Sequence, residues 1–229
     1  MKDSSILEKL IGIKFKDKNI LNNAFIHRSY INEHRNEGIE SNERMEFLGD
    51  AVLELVSTEH LYKNHPDYDE GEMTNYRSAL VKGRHLADIA LELALGDYLR
   101  MSHGEEKSEG NRKNHILANT LEALIGAIYL DKGFKTAEKF VKKFILVRLD
   151  EIIEKNLHID PKSQFQEIVQ EKVGVTPTYE TLSESGPDHA KKFEIGVYIN
   201  SELIAKGEGS SKQKAEEDAA KQALIKKKW

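Results

Sequence analysis

The sequence predicts two domains of different class. An all-α domain spans residues 1–156, and a small α+β domain of α-β-β-β-α order spans residues 161–229, with a linker at 157–160. Three observations predict this. Apolar residues recur at helical spacing through the first 156 residues, strand-like alternation of β-branched and aromatic residues begins only after Thr178, and the charge balance changes at Asp160/Pro161.

Glu43–Lys63 reads as one helix, ended by the turn residues Asn64-His65-Pro66-Asp67. Gly71 to Arg100 continues the helical period through Leu80, Leu86, Ile89 and Leu93, with Gly83 and Gly96 as punctuation. The run from Ser102 to Asn111 is polar and reads as a loop, and helices resume over His115–Leu130 and Thr136–Glu154. Pro161 suits the first turn of a helix that continues over Ser163–Lys172. Thr178–Ser183, Phe193–Ile199 and Glu202–Glu208 alternate as strands do, and Lys212–Lys226 is helical again. That order implies helices on one face of an antiparallel sheet.

Composition narrows the function classes. With no cysteine, disulfides, thiolate metal sites and cysteine nucleophiles are excluded, and a reducing cytoplasmic setting is expected. No run approaches the roughly 18 apolar residues of a membrane span, and the first residues lack the basic-then-apolar order of a secretory signal. The net charge of −5 sits in the first domain: residues 161–229 hold 11 Lys and 11 acidic residues. A polyanion would meet repulsion in the first part unless a metal occupies its acids, and could bind the second part only through local clusters. No phosphate-cradling G-x-x-x-x-G-K-[ST] run is present, so a nucleotide cofactor is not expected.

Chemistry concentrates in Asn42-Glu43-Arg44-Met45-Glu46-Phe47-Leu48-Gly49-Asp50. Glu43, Glu46 and Asp50 share one helical face beside the apolar stripe Met45, Leu48, Val52, Leu55 and Val56. Acids on one face often form only a solvated surface, but clustered like charges repel unless compensated, and a hard cation such as Mg²⁺ compensates them. A second helix, Ile116–Tyr129, is apolar nearly all round and is interrupted on one side by Asn119 and Glu122. Glu122 either meets a buried cation such as Arg44 or Arg77, or faces Glu46 and Asp50 across one metal with Asn119. Carboxylates without cysteine or paired histidines select Mg²⁺ or Mn²⁺, and such sites characteristically cut phosphodiesters. The nine histidines show no ligand spacing; His27, within Ala24–Tyr30, reads as structural.

In the second domain, Gly207–Glu216 opens the last helix with glycines, hydroxyls and two lysines. A phosphate can dock at such a helix start with Lys212 and Lys214 converging on it, although Glu216, Glu217 and Asp218 fit an ordinary capped helix. With Gly186-Pro187-Asp188-His189 between the first two strands, and Gln164 and Gln166 on the first helix, three elements can match the successive grooves of an A-form duplex.

These residues carry a resemblance. Asn42–Asp50 resembles the signature of the ribonuclease III family, and residues 161–229 resemble a double-stranded-RNA-binding domain, in the order of a short bacterial-type member. The resemblance implies a ribonuclease III-type helical endonuclease domain in a homodimer that cleaves double-stranded RNA. Mg²⁺ is the implied cofactor, with Mn²⁺ as a substitute. The implied products carry 5′-phosphate and 3′-hydroxyl ends with short 3′ overhangs, in the processing of structured precursors such as rRNA. By the same resemblance Glu46, Asp50 and Glu122 are metal ligands, with Asp50 and Glu122 catalytic. Glu43 and Glu70 support a second metal or line a valley shared in the dimer, and Phe47 packs into the partner subunit. Gln164, Gln166, Pro187, His189, Ser211, Lys212 and Lys214 are the expected RNA contacts. Asn119 stands where that family commonly has Asp, so its amide oxygen would be the fourth ligand. A second reading follows from it, a catalytically weak or silent duplex-RNA-binding regulator.

Overall fold

The computed structural model describes residues 3–34, 38–187 and 190–229. It divides into two compact units, Met1–His158 and Ile159–Trp229.

The first unit is helical: α1 (Ser4–Ile11), α2 (Lys18–Asn23), α3 (Arg28–Glu33), α4 (Glu43–Asn64), α5 (Glu70–Leu80), α6 (Gly83–Glu92), α7 (His103–Lys107), α8 (Asn114–Lys132), α9 (Phe134–Phe144) and α10 (Leu149–Glu154). Its core runs along α8, where Leu117, Leu121, Ala123, Leu124, Ile125, Ala127 and Ile128 are buried. A helix apolar on every side must be enclosed, and α4, α6 and α9 enclose this one. The start of α4 is pinned from the side rather than capped. Asn42 donates its backbone N–H to Ile26 O (2.8 Å) and its amide to Ala24 O (3.1 Å). The Asp69-Glu70-Gly71 turn is a capping box: Asp69 accepts from the Glu72 N–H (2.8 Å) and Glu72 accepts from the Asp69 N–H (3.0 Å).

Two sequence expectations are corrected here. The polar run Ser102–Asn111 is not a plain loop. Ser102 caps α7, accepting from the Glu105 N–H, and a 3-10 turn follows at Gly110–Arg112. Nor is Thr136–Glu154 one helix: α9 ends at Phe144, and a 3-10 turn at Leu146–Arg148 separates it from α10. The break lets Ile145, Leu146 and Leu149 all reach the core, and it places Arg148 in an ion pair with Glu92 of α6.

The second unit contains α11 (Pro161–Val173), β1 (Thr178–Ser185), β2 (Lys192–Ile199), β3 (Glu202–Gly209) and α12 (Lys212–Lys227). The strands form an antiparallel sheet in the order β1-β2-β3. Phe165 and Val169 of α11, Val197, Ile199 and Ile204 of the sheet, and Ala219, Ala220 and Ala223 of α12 form its core. Gly207 permits the close approach of α12 to β3, since a Cβ there would lie 2.0 Å from the Ala219 nitrogen. Among the described residues, no helix is long and apolar enough to cross a membrane.

Candidate active site

Helices α4 and α8 cross with their backbones in contact. A Cβ on Gly49 would fall 1.8 Å from the Glu122 carbonyl oxygen, and one on Gly126 would fall 2.2 Å from the Met45 carbonyl oxygen. Glycine costs about 1 kcal/mol in a helix interior, so these two are explained by packing rather than by propensity. Their contact brings the turn carrying Glu46 and Asp50 against the turn carrying Asn119 and Glu122.

The electrostatics record that proximity. Burial pushes the Glu122 carboxyl up to about 7, and the charges of Asp50 and then Glu46 add to the shift. Glu46 is also raised, first by burial; a hydrogen bond from Asn119 opposes this, while the Glu43 and Asp50 charges reinforce it. Among the described residues, no cation offsets Glu122. Arg44 pairs instead with Glu40 at 3.4 Å, and Arg77 with Glu54 at 3.2 Å, so neither supplies the buried partner considered for Glu122.

These donors suit a hard cation. Three carboxylates and one amide oxygen offer oxygen alone, the ligand type that Mg²⁺ takes. Among the described residues, no group of three or more His, Cys, Asp or Glu side chains stands close enough to hold a metal. The Asp50 charge is near enough to raise both Glu46 and Glu122, and the carboxylates still stand apart, as like charges do. Asn119 has a use no aspartate would have: its amide can donate to Glu46 and hold the carboxyl down where an aspartate would repel it.

The other expected site residues divide. Glu43 is exposed beside Glu46, accepting from Ser41 Oγ at 2.9 Å and standing 3.8 Å from Arg28. Glu70 is not brought to the cluster within one chain. It lines a separate cavity of about 200 Å³ with Thr58, Leu61, Tyr62, Met73 and Arg77, two turns or more along α4 from Asp50. Phe47 is 81% exposed, an unusual position for a phenylalanine. A cleft of about 380 Å³ opens on Glu46 and Asn119; its walls include His27, Arg28, Glu105 and His115.

In the second unit, Gln164 is half-buried and Gln166 exposed on α11, and Pro187 is exposed. His189 lies outside the described residues. Ser211 caps α12, accepting from the Lys214 N–H at 3.3 Å, and Lys212 and Lys214 are exposed in its first turn. The acids that favoured an ordinary helix start are engaged elsewhere. Glu216 pairs with Lys162 at 2.6 Å, Asp218 accepts from the Glu208 N–H at 2.9 Å, and Glu217 accepts from Gln213 at 3.0 Å.

Comparison with known proteins agrees with both units. The family model described as ribonuclease-III-like matches residues 17–149, and the double-stranded RNA binding motif matches residues 161–227. Ribonuclease 3 of Pelotomaculum thermopropionicum is 42% identical over 97% of this chain and 92% of its own length. Ribonuclease 3 of Streptococcus equi subsp. zooepidemicus is 40% identical over 96% of this chain and 95% of its own. A solved nuclease domain of ribonuclease III from Campylobacter jejuni, described for flexibility in its region involved in dimer formation, is 41% identical. It covers 62% of this chain and 96% of its own, with a TM-score of 0.58. The chain therefore belongs to the ribonuclease III family, as a double-stranded-RNA-specific endoribonuclease built from a helical nuclease domain and a double-stranded-RNA-binding domain.

Proposed function

We propose that the chain hydrolyses backbone phosphodiesters of double-stranded RNA with Mg²⁺, or Mn²⁺ in its place, at Glu46, Asp50, Glu122 and the Asn119 amide oxygen. The observation that carries this reading is the raised pKa of a half-buried Glu122 beside Asp50 and Glu46, with no cation among the described residues to offset it. When bound, the cation lowers the pKa of water and screens the charge that builds on the phosphoryl group. Glu122 must release its proton to serve as a ligand, and Asn119 holds Glu46 in place for the same task. Water's oxygen bonds to phosphorus, the P–O3′ bond breaks, and the 3′-oxygen takes up a proton. The products are a 5′-phosphate and a 3′-hydroxyl. Structured precursors such as rRNA are the substrates this chemistry serves, and a chain without cysteine suits the reducing cytoplasm.

The working unit is a homodimer. Phe47, Leu55 and Tyr62 are 81%, 57% and 72% exposed and recur at helical spacing along α4. Beside them lies a groove of about 640 Å³ lined by Met45, Phe47, Leu48 and Leu130. A twofold axis seats Phe47 of each protomer in the other's groove, a self-complementary interface. In that arrangement Glu43 and Glu70 line the shared valley, and two sites face the two strands with a stagger that leaves short 3′ overhangs. The RNA-binding domain holds the duplex through Gln164, Gln166, Pro187, His189, Ser211, Lys212 and Lys214, reading shape more than base order.

The test is incubation with a perfect RNA duplex, with and without Mg²⁺, followed by analysis of the ends. Cutting that requires the duplex and the cation, with 5′-phosphate ends, is expected. RNA bound but never cut, in Mg²⁺ or Mn²⁺, would overturn it in favour of a silent RNA-binding regulator, the reading that Asn119 keeps in view.

A further inference from the structure

The cleft that opens on Glu46 and Asn119 has a wall that the metal chemistry leaves unused. It is built where the segment before α3 meets α7 and the start of α8. The Ile26–Arg100 bridge holds the two together, with the His27 N–H donating to Arg100 O at 3.0 Å. Ser29 ties the same seam, its Oγ accepting from the Ser102 N–H at 3.0 Å.

These bonds determine which nitrogen of His27 is free. Nδ1 accepts from the Ser29 N–H at 3.3 Å and lies 2.8 Å from Ser29 Oγ, so it is the ring's acceptor nitrogen. The proton therefore sits on Nε2, and His27 lines the cleft. Arg28 beside it is 73% exposed and only loosely held, 3.8 Å from Glu43. Glu105, the acid whose charge acts most strongly on His27, is paired with Lys113 at 2.6 Å. What remains is one fixed N–H donor and one exposed guanidinium, next to the carboxylate cluster. The cleft volume, about 380 Å³, lies within the range of small-ligand sites.

We infer that this wall is a subsite for the RNA strand itself: His27 Nε2–H and the Arg28 guanidinium donate to the non-bridging oxygens of a phosphate flanking the one that is cut. The inference rests on the proposed cleavage reaction and deepens it, because a strand held at a neighbouring phosphate presents its scissile bond to Glu46, Asp50 and Glu122 in one register. His27 is here a binding residue, not a proton donor, so its contribution is insensitive to which way protons move during cleavage. The sequence reading of His27 as structural covers half of the ring only.

Single-turnover cleavage of duplexes carrying one methylphosphonate at each position near the cut tests this in the full-length chain. The wild-type protein cutting the unmodified duplex shows the reaction reading intact, so any failure below belongs to the subsite. Wild type is expected to lose about ten- to hundredfold in rate at one flanking position, the effect of one hydrogen bond to a charged group. His27→Asn keeps an acceptor near Nδ1 but has no donor near Nε2. It is expected to melt like wild type, cut the unmodified duplex slower by a similar factor, and lose clearly less than wild type at that position, where only the Arg28 contact remains to be lost. His27→Gln, with an N–H near Nε2, is expected to recover most of the rate. Equal sensitivity of His27→Asn and wild type to every methylphosphonate would overturn the inference, as would a His27→Asn protein cutting at the wild-type rate.

Discussion

Gly49 of α4 and Gly126 of α8 are the contact that brings the candidate site together, each so close to the opposite helix that neither has room for a side chain. The carboxylates belong to the neighbouring turns, so their separation is determined by these two glycines. Gly49→Ala would drive a methyl group into the Glu122 carbonyl and Gly126→Ala one into that of Met45. Backbone cannot swing away as a side chain would, so the helices must part. A loss of about 3 kcal/mol or more, with cleavage falling further than RNA binding, is expected from urea unfolding and filter binding.

Glu122 couples stability to pH. Its folded pKa of about 7 lies above the ordinary 4.5, so the metal-free protein binds this proton more tightly than the unfolded chain does. The stabilisation is complete below about 4.5 and is lost as pH rises to about 7. Glu122→Gln removes the ionisation. The metal-free variant is expected to match wild type near pH 5 and to melt several degrees higher at pH 8. It should bind duplex RNA and cut none; undiminished cutting would sink the role assigned to Glu122. In wild type, cleavage at sub-saturating Mg²⁺ should rise with pH through about 7, because the cation must displace the Glu122 proton to be held.

Asn119→Asp exchanges a donor for a charge. The Glu46 carboxylate loses its hydrogen bond, and a fourth acid joins three that already repel. Metal-free melting temperature should fall while Mn²⁺ affinity, measured by calorimetry, should rise about tenfold. Weaker Mn²⁺ binding would show that the amide contributes more than a charge does.

Phe47→Ala addresses assembly. An exposed aromatic seated in a partner's groove is the type of residue that dominates an interface, with losses of about 2 kcal/mol or more on truncation. Sedimentation should show dimers dissociating at concentrations where wild type remains associated, while the isolated fold melts unchanged because Phe47 touches little of its own chain.

Removing residues 159–229 separates the two units at their boundary. Duplex binding should weaken strongly at moderate salt, with a shallower salt dependence, yet cleavage should persist at low salt. A truncated chain inactive under every Mg²⁺ and Mn²⁺ condition would place essential chemistry in the second unit.

Amino-acid order by itself determined the local structure and the chemistry on offer. The 3.6-residue period gave α4 within a residue of its end, alternation gave three strands, and Glu43, Glu46, Asp50, Asn119 and Glu122 were legible as oxygen donors on two helices. These are short-range properties, read within a few turns or a strand's length. The polar composition of Ser102–Asn111 made the α7 region read as a loop, but Ser102's cap outweighs that weak propensity. Tertiary structure alone decided which side chains meet. Nothing in sequence spacing says that residue 49 touches residue 126, although a glycine in a helix interior was the available signal. Nor does it say that Glu70 stands apart from the cluster in one chain, or that Ser29 holds one nitrogen of His27 and leaves the other for the cleft. Contacts between distant segments come from packing that no local pattern encodes, and here two missing side chains set the distance at which the acids face each other.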